Sequence, residues 1–144
     1  MRTRLLAYRL TTKIHAVVEG LGNLAGWKTT GGQVHDSTQA EDLLDKVPPP
    51  VEGEGPRSTA ADKAYDSDII LEKIRQNGAT PVIPPRANRL NPQEFDSDLY
   101  RNRNLIERFF CRIKQFRRIA TRYDKLVRRF DSFIALAAAF IWLT

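Results

Sequence analysis

The stretch from Leu105 to Phe116 constrains the fold most, because its apolar side chains recur at helical spacing. At about 100° per residue, Leu105, Ile106, Phe109, Phe110, Ile113 and Phe116 gather on one side of a helix. Tyr100, Arg103, Glu107 and Lys114 fall within about 60° of one another on a different side. Such a helix is amphipathic, and its apolar stripe must be covered by the rest of the chain. Its polar side holds a carboxylate among cations, an arrangement suited to metal and phosphate chemistry on a polyanion.

The charge distribution points the same way. Tyr100 to Arg129 holds eleven Lys or Arg against two acids, Glu107 and Asp124. That window carries +9 while the whole chain carries +6, so the remainder sums to −3. A one-sided basic field is the electrostatic footprint of a nucleic-acid or phosphate partner, and the bland reading is a solvated helix face. The interleaved apolar residues argue against a disordered basic tail. One cysteine, Cys111, and two histidines, His15 and His35, exclude an internal disulfide framework and a cysteine- or histidine-rich metal site. A catalytic metal would need carboxylate ligands, which favours magnesium or manganese.

At 144 residues the chain is about one domain long and can bury a core. No signal peptide is evident. Phe133 to Leu143 is apolar all round but well short of the roughly 20 residues that span a bilayer, so a buried core helix is expected. A soluble, cytoplasmic protein with no membrane partner follows from that reading.

The remaining punctuation predicts alternating strands and helices. Thr11–Val18 reads as a strand, Glu19–Asn23 as a turn, and Leu24–Thr30 as the partner strand. A short helix is expected over Thr38–Val47, with Ser37 as its N-cap. Pro48 to Pro56 is a loop, and a brief strand follows, ending at the acid of Asp62-Lys-Ala-Tyr-Asp66. Ser67 or Asp66 can cap a helix running to about Asn77, which Gly78 stops. Thr80–Ile83 reads as a strand. Two further helices are expected, from near Asp98 to about Ile119 and from near Arg129 to the end. The pattern is that of an α/β domain.

Tyr100, Arg103, Glu107 and Lys114 stand as Y-x2-R-x3-E-x6-K. This resembles the "YREK" motif of bacterial insertion-sequence DDE transposases. TTKIHAVVEGLGN, GQVHD, ADKAYDSD, PVIPPRANR and ERFFCRIKQFRRIATRYDKL are similar to that family in the expected order. The resemblance implies an RNase H-like DDE catalytic domain over residues 11–144, preceded by a non-matching lead-in over residues 1–10. It implies three acids from separate elements meeting at one sheet edge, and two Mg2+ or Mn2+ ions serving DNA cleavage and strand transfer in transposition.

Carried across by position, Asp62 matches the second acid and Glu107 the third, both as catalytic metal ligands. Arg103 and Lys114 match the motif's cations, which would engage DNA phosphates, and Tyr100 would help position the strand. Lys114 could instead orient the scissile end. Arg117 and Arg118 would track the DNA backbone. The implied partners are the terminal inverted repeats, target DNA and, on DNA, further copies of the chain. His35 beside Asp36 is read as structural.

Two departures stand out. The family usually has glycine where this chain has Ala64, a mild change unless that backbone needs a positive φ. No acid precedes Glu19, so the first acid and its strand are expected upstream, in an N-terminally truncated domain. A polypeptide from an upstream reading frame could supply them, or the chain is a decayed remnant. The alternative reading is a non-catalytic DNA-binding fragment or regulator, and the isolated chain is expected to be inactive in strand transfer.

Overall fold

The computed structural model describes residues 4–6, 12–101, 104–117, 119 and 127–144. Arg103 and Arg118 therefore lie outside the described residues. The elements are β1 (Arg4–Leu6), β2 (Thr12–Val18), β3 (Leu24–Gly31), α1 (Ala40–Asp45), β4 (Arg57–Ala60), α2 (Asp68–Gln76), β5 (Ala79–Val82), α3 (Ser97–Arg101), α4 (Asn104–Ile113) and α5 (Val127–Leu143). Two 3-10 turns, Asp36–Gln39 and Lys63–Tyr65, precede α1 and α2.

The β2–β3 hairpin forms where alternation and the turn residues predict it. Glu19 organises the connection: its carboxylate accepts the amides of Leu21 and Asn23, both at 3.0 Å, and Gly22 takes φ 87°. Val17 pairs with Gly26 but Val18 with Leu24, leaving Ala25 as the extra residue of a bulge. Ile14, Ala16 and Leu24 then join one core while Val17 and Ala25 join another. The hairpin is thus covered on both faces.

On one face, Phe109, Phe110 and Ile113 of α4 meet Phe130, Ile134 and Ile141 of α5. Full burial of each large side chain contributes about 1.5–3 kcal/mol. On the other face lie Leu43 and Leu44 of α1, Ile70, Leu71 and Ile74 of α2, and Ala61, Tyr65 and Ile83. β4 and β5 pair in parallel, from Arg57 opposite Ala79 to Ala60 opposite Val82, with α2 as the crossover parallel pairing requires. Ser67 caps α2 by accepting the Ile70 amide at 3.3 Å, and Gly78 ends that passage at φ 75°.

Within residues 1–10, Arg4–Leu6 pairs antiparallel with β2, which gives that strand a second neighbour. Other elements differ from what the sequence predicts. Ser37 is not an N-cap: the chain enters a 3-10 turn at Asp36, and α1 ends at Asp45, before Val47. The helix expected to reach Ile119 ends at Ile113. There the amides of Gln115, Phe116 and Ile119 bond three residues back, and this tightening lets Ile119 enter the core and Phe116 pack on Phe133 and Phe140.

α5 is not buried all round. Its Phe130–Ile141 face is covered, but Leu136 is 67 % exposed and Phe140 57 % exposed, because neighbours cover one side only. Among the described residues no helix is long and apolar enough to cross a membrane. The described strands fall in two sheets, β1-β2-β3 and β4-β5.

Candidate functional site

Asp62 sits just past the C-terminal end of β4, where an open α/β sheet places its ligand-binding residues. Ala61 prolongs the strand by donating its amide to the Val82 carbonyl at 3.3 Å, and the chain then turns sharply. Asp62 caps that turn: its Oδ1 accepts the Ala64 amide at 2.9 Å. The residue is half-buried, and among the described residues Oδ2 accepts no hydrogen bond. One carboxylate oxygen is thus held by the turn itself.

Ala64 lies in the 3-10 turn, whose backbone has negative φ, and its side chain is exposed. Alanine in place of glycine therefore introduces no strain here.

The turn is braced from behind by four residues that sequence reasoning missed in this role. The Asp66 carboxylate is fully buried, accepting from Arg89 Nη1 at 2.8 Å and from the Arg86 amide at 2.7 Å. Arg86 reaches back with its guanidinium, donating to the carbonyls of Lys63 at 3.2 Å and Ala64 at 2.6 Å. Gln93 ties the same loop to the Ile83 carbonyl at 2.9 Å. Arg89 also pairs with Asp68, which is 91 % exposed in its side chain. The available signal was the pair of arginines after Pro84-Pro85, in a polar stretch too short of apolar residues to pack by itself.

Glu107 is carried in the first turn of α4, on the half-exposed side of a helix whose Ile106, Phe109 and Phe110 are buried. Lys114 lies one residue past the end of α4, half-buried, its amide donating to the Phe110 carbonyl at 3.2 Å. Tyr100 is on α3, its ring edge-on to Phe95 at 5.7 Å, and α3 packs against β4 and β5. Glu107 therefore lies within α4, whereas Lys114 stands just past its end at Ile113. Tyr100 is brought to the strands that lead to Asp62, while Glu107 rides on the element packed against β2. Arg117 is exposed, as are Arg101, Arg108, Arg112, Arg128 and Arg129.

The 3-10 turn holding Asp36 packs against the one that follows Asp62. Asp36 is paired with Lys13 Nζ at 3.1 Å, and Lys13 also donates to the Val34 carbonyl at 2.8 Å. His35 is exposed, whereas His15 is fully buried, with Nε2 at 2.6 Å from Thr30 Oγ1. Burial lowers the His15 pKa from the ordinary histidine value. Asp36 opposes that shift, and Lys13 and Lys28 reinforce it.

Asp62 and Glu107 both offer hard carboxylate oxygens at partly exposed positions, a donor chemistry that fits Mg2+ or Mn2+. Among the described residues, no group of three or more His, Cys, Asp or Glu is placed to hold a metal ion.

Comparison with known proteins agrees with the motif. The family described as transposase DDE domain matches residues 6–142. A Brucella ovis protein named as a transposase for insertion sequence element IS6501 is 38% identical over 135 residues, covering 93% of this chain and 99% of that protein. A Burkholderia cepacia protein named as a transposase for insertion sequence element IS402 is 31% identical over 140 residues, covering 92% of this chain and 64% of that protein. No solved structure matches. With nearly its whole length matched, the chain belongs to the transposase DDE domain family.

Proposed function

We propose that the chain serves DNA cleavage and strand transfer in the movement of an insertion sequence, with Asp62 and Glu107 as two carboxylates of one divalent-metal site. The observation that carries this reading is Asp62 at the C-terminal end of β4, one oxygen held by the Ala64 amide, in a chain of this family. The fold proposed around it is RNase H-like. Its supports are the antiparallel β1-β2-β3 run, followed by a helix and the parallel β4–α2–β5 unit.

Asp62 and Glu107 would hold the metal, and Mg2+ or Mn2+, when bound, supplies electrostatic stabilisation to the entering and leaving oxygens of a phosphodiester displacement. The rest is done by the chain. Asp62 is kept in one rotamer by its cap, which removes the conformational cost of ordering it at the moment of binding. Lys114 and Tyr100 would engage the DNA strand beside the carboxylates, with Arg103 and Lys114 neutralising phosphates. Exposed Arg117, together with Arg101, Arg108 and Arg112, would follow the backbone further out. The residues before Glu19 hold no acid, so we propose that a third carboxylate comes from an upstream polypeptide and that cleavage requires it.

The test is Mg2+- or Mn2+-dependent nicking of an inverted-repeat duplex, with that upstream segment supplied. Glu107→Gln should abolish nicking. Nicking equal to the parent's would overturn the assignment.

A second reading, DNA binding without cleavage, is favoured by the +9 window between Tyr100 and Arg129. It predicts duplex affinity that falls steeply with salt in the absence of any divalent cation. Affinity indifferent to salt would remove it.

A further inference from the structure

The loop after β5 is built onto the turn that carries Asp62, and the Arg86 side chain reaches the carbonyls of the turn itself. Arg86 has its amide on the buried Asp66 carboxylate at 2.7 Å. From that anchor its guanidinium spans two successive carbonyls, Lys63 at 3.2 Å and Ala64 at 2.6 Å. Ala64 is the residue whose amide holds Asp62 Oδ1 at 2.9 Å. The Lys63–Ala64 peptide unit is therefore held by Asp62 at its amide and by Arg86 at its carbonyl, and Arg86 also holds the carbonyl of the next unit.

We propose that Arg86 is a positioning residue for Asp62. By clamping the carbonyls of Lys63 and Ala64, it keeps the Ala64 amide aimed at Oδ1 and leaves Oδ2 for a metal ion. A planar fork suits this role, because guanidinium donors meet two carbonyls at fixed separation, whereas an ammonium is a single point donor. Asp66 is the base of the clamp. It is fully buried and holds the loop through the Arg86 amide and Arg89, leaving the Arg86 side chain free to reach the turn. The inference rests on the proposed reading of Asp62 as a metal ligand, but its geometry can be tested without metal.

The experiment is amide hydrogen exchange by NMR on the full chain, followed by titration with Mn2+ alone and measurement of line broadening at residues 62–65. In Arg86→Gln, the Ala64 amide should exchange at least ten-fold faster, while amides of β2 and α4 keep their parent rates. Half-maximal broadening should then need several-fold more Mn2+. Arg86→Lys should fall between parent and Arg86→Gln in both readouts. Unchanged Ala64 exchange in Arg86→Gln overturns the proposal.

If Arg86→Gln loses β2 and α4 protection as well, Arg86→Lys decides. Faster exchange confined to residues 62–65 supports positioning, and parent-like exchange there overturns it. Asp62→Asn separates the two claims. Loss of Mn2+ broadening upholds Asp62 as a ligand, whatever Arg86 does. Parent-like broadening removes the metal reading, while Ala64 exchange still decides whether Arg86 holds the turn.

Discussion

Asp66 and Asp68 both pair with Arg89, but the chain should respond very differently to losing each. The Asp66 side chain is 0% exposed and the Arg89 side chain 18%, whereas that of Asp68 is 91% exposed. Asp66→Ala strands the Arg86 amide and one arm of Arg89 in a site water reaches poorly. Removing one partner of a buried pair costs about 3–5 kcal/mol, mostly from the charge left behind. Because Arg89 is partly exposed and keeps Asp68, the lower end applies, about 3 kcal/mol. Asp68→Ala removes an exposed partner, and such pairs contribute about 0–1 kcal/mol.

Urea denaturation of both variants measures the contrast. The expected gap is at least about 2 kcal/mol in unfolding free energy, with an unchanged denaturant slope. Equal costs for Asp66→Ala and Asp68→Ala would refute the argument that burial, not pairing as such, makes the clamp. A double-mutant cycle with Arg89→Ala adds a second check, since coupling to Asp66 should exceed coupling to Asp68.

Other outcomes follow from the same structure. His15 is buried with its pKa lowered from the ordinary value of 6.5, so the unfolded chain binds its proton more readily. Stability should hold above about pH 6.5 and fall as pH drops below it; His15→Gln should flatten that slope in urea titrations at several pH values. Phe109→Ala, at a site 1% exposed, should cost about 3–5 kcal/mol, whereas Leu136→Ala, 67% exposed, should stay within about 0.5 kcal/mol in the same assay. Ala64→Gly should destabilise by about 0.4–1 kcal/mol, because Ala64 needs no positive φ and glycine only loosens the unfolded chain. A gain in stability would show strain at that turn.

How far the sequence could be read depended on the range of the interactions involved. The β2–β3 hairpin and α2 were legible because their signals are local: alternation, the Glu19–Asn23 turn, a serine cap and a glycine stop. α4 was legible as an amphipathic helix, but its end at Ile113 was not. No glycine or proline marks it, and the tightening is set by contacts of Phe116 with Phe133 and Phe140 far along the chain. β1 is three residues long and owes its existence to pairing with β2. The site divides in the same way. Asp62 and Glu107 were named by motif, whereas the Asp66–Arg86–Arg89 clamp joins residues about twenty apart through contacts that spacing does not encode.

The central claim is that Asp62 and Glu107, on different elements, serve one site. Metal-dependent nicking by Asp62→Asn, Glu107→Gln and the double variant, with the upstream segment supplied and folding checked by thermal melts, tests it most directly. Losing a metal ligand should cost at least about a hundred-fold in rate, the upper end of what losing an outer partner costs. If the two share a site, the double variant should be no slower than the slower single variant, because the first loss already disables it. Losses that multiply in the double variant would contradict a single shared site, and a parent-like rate in either single variant would remove that residue from it.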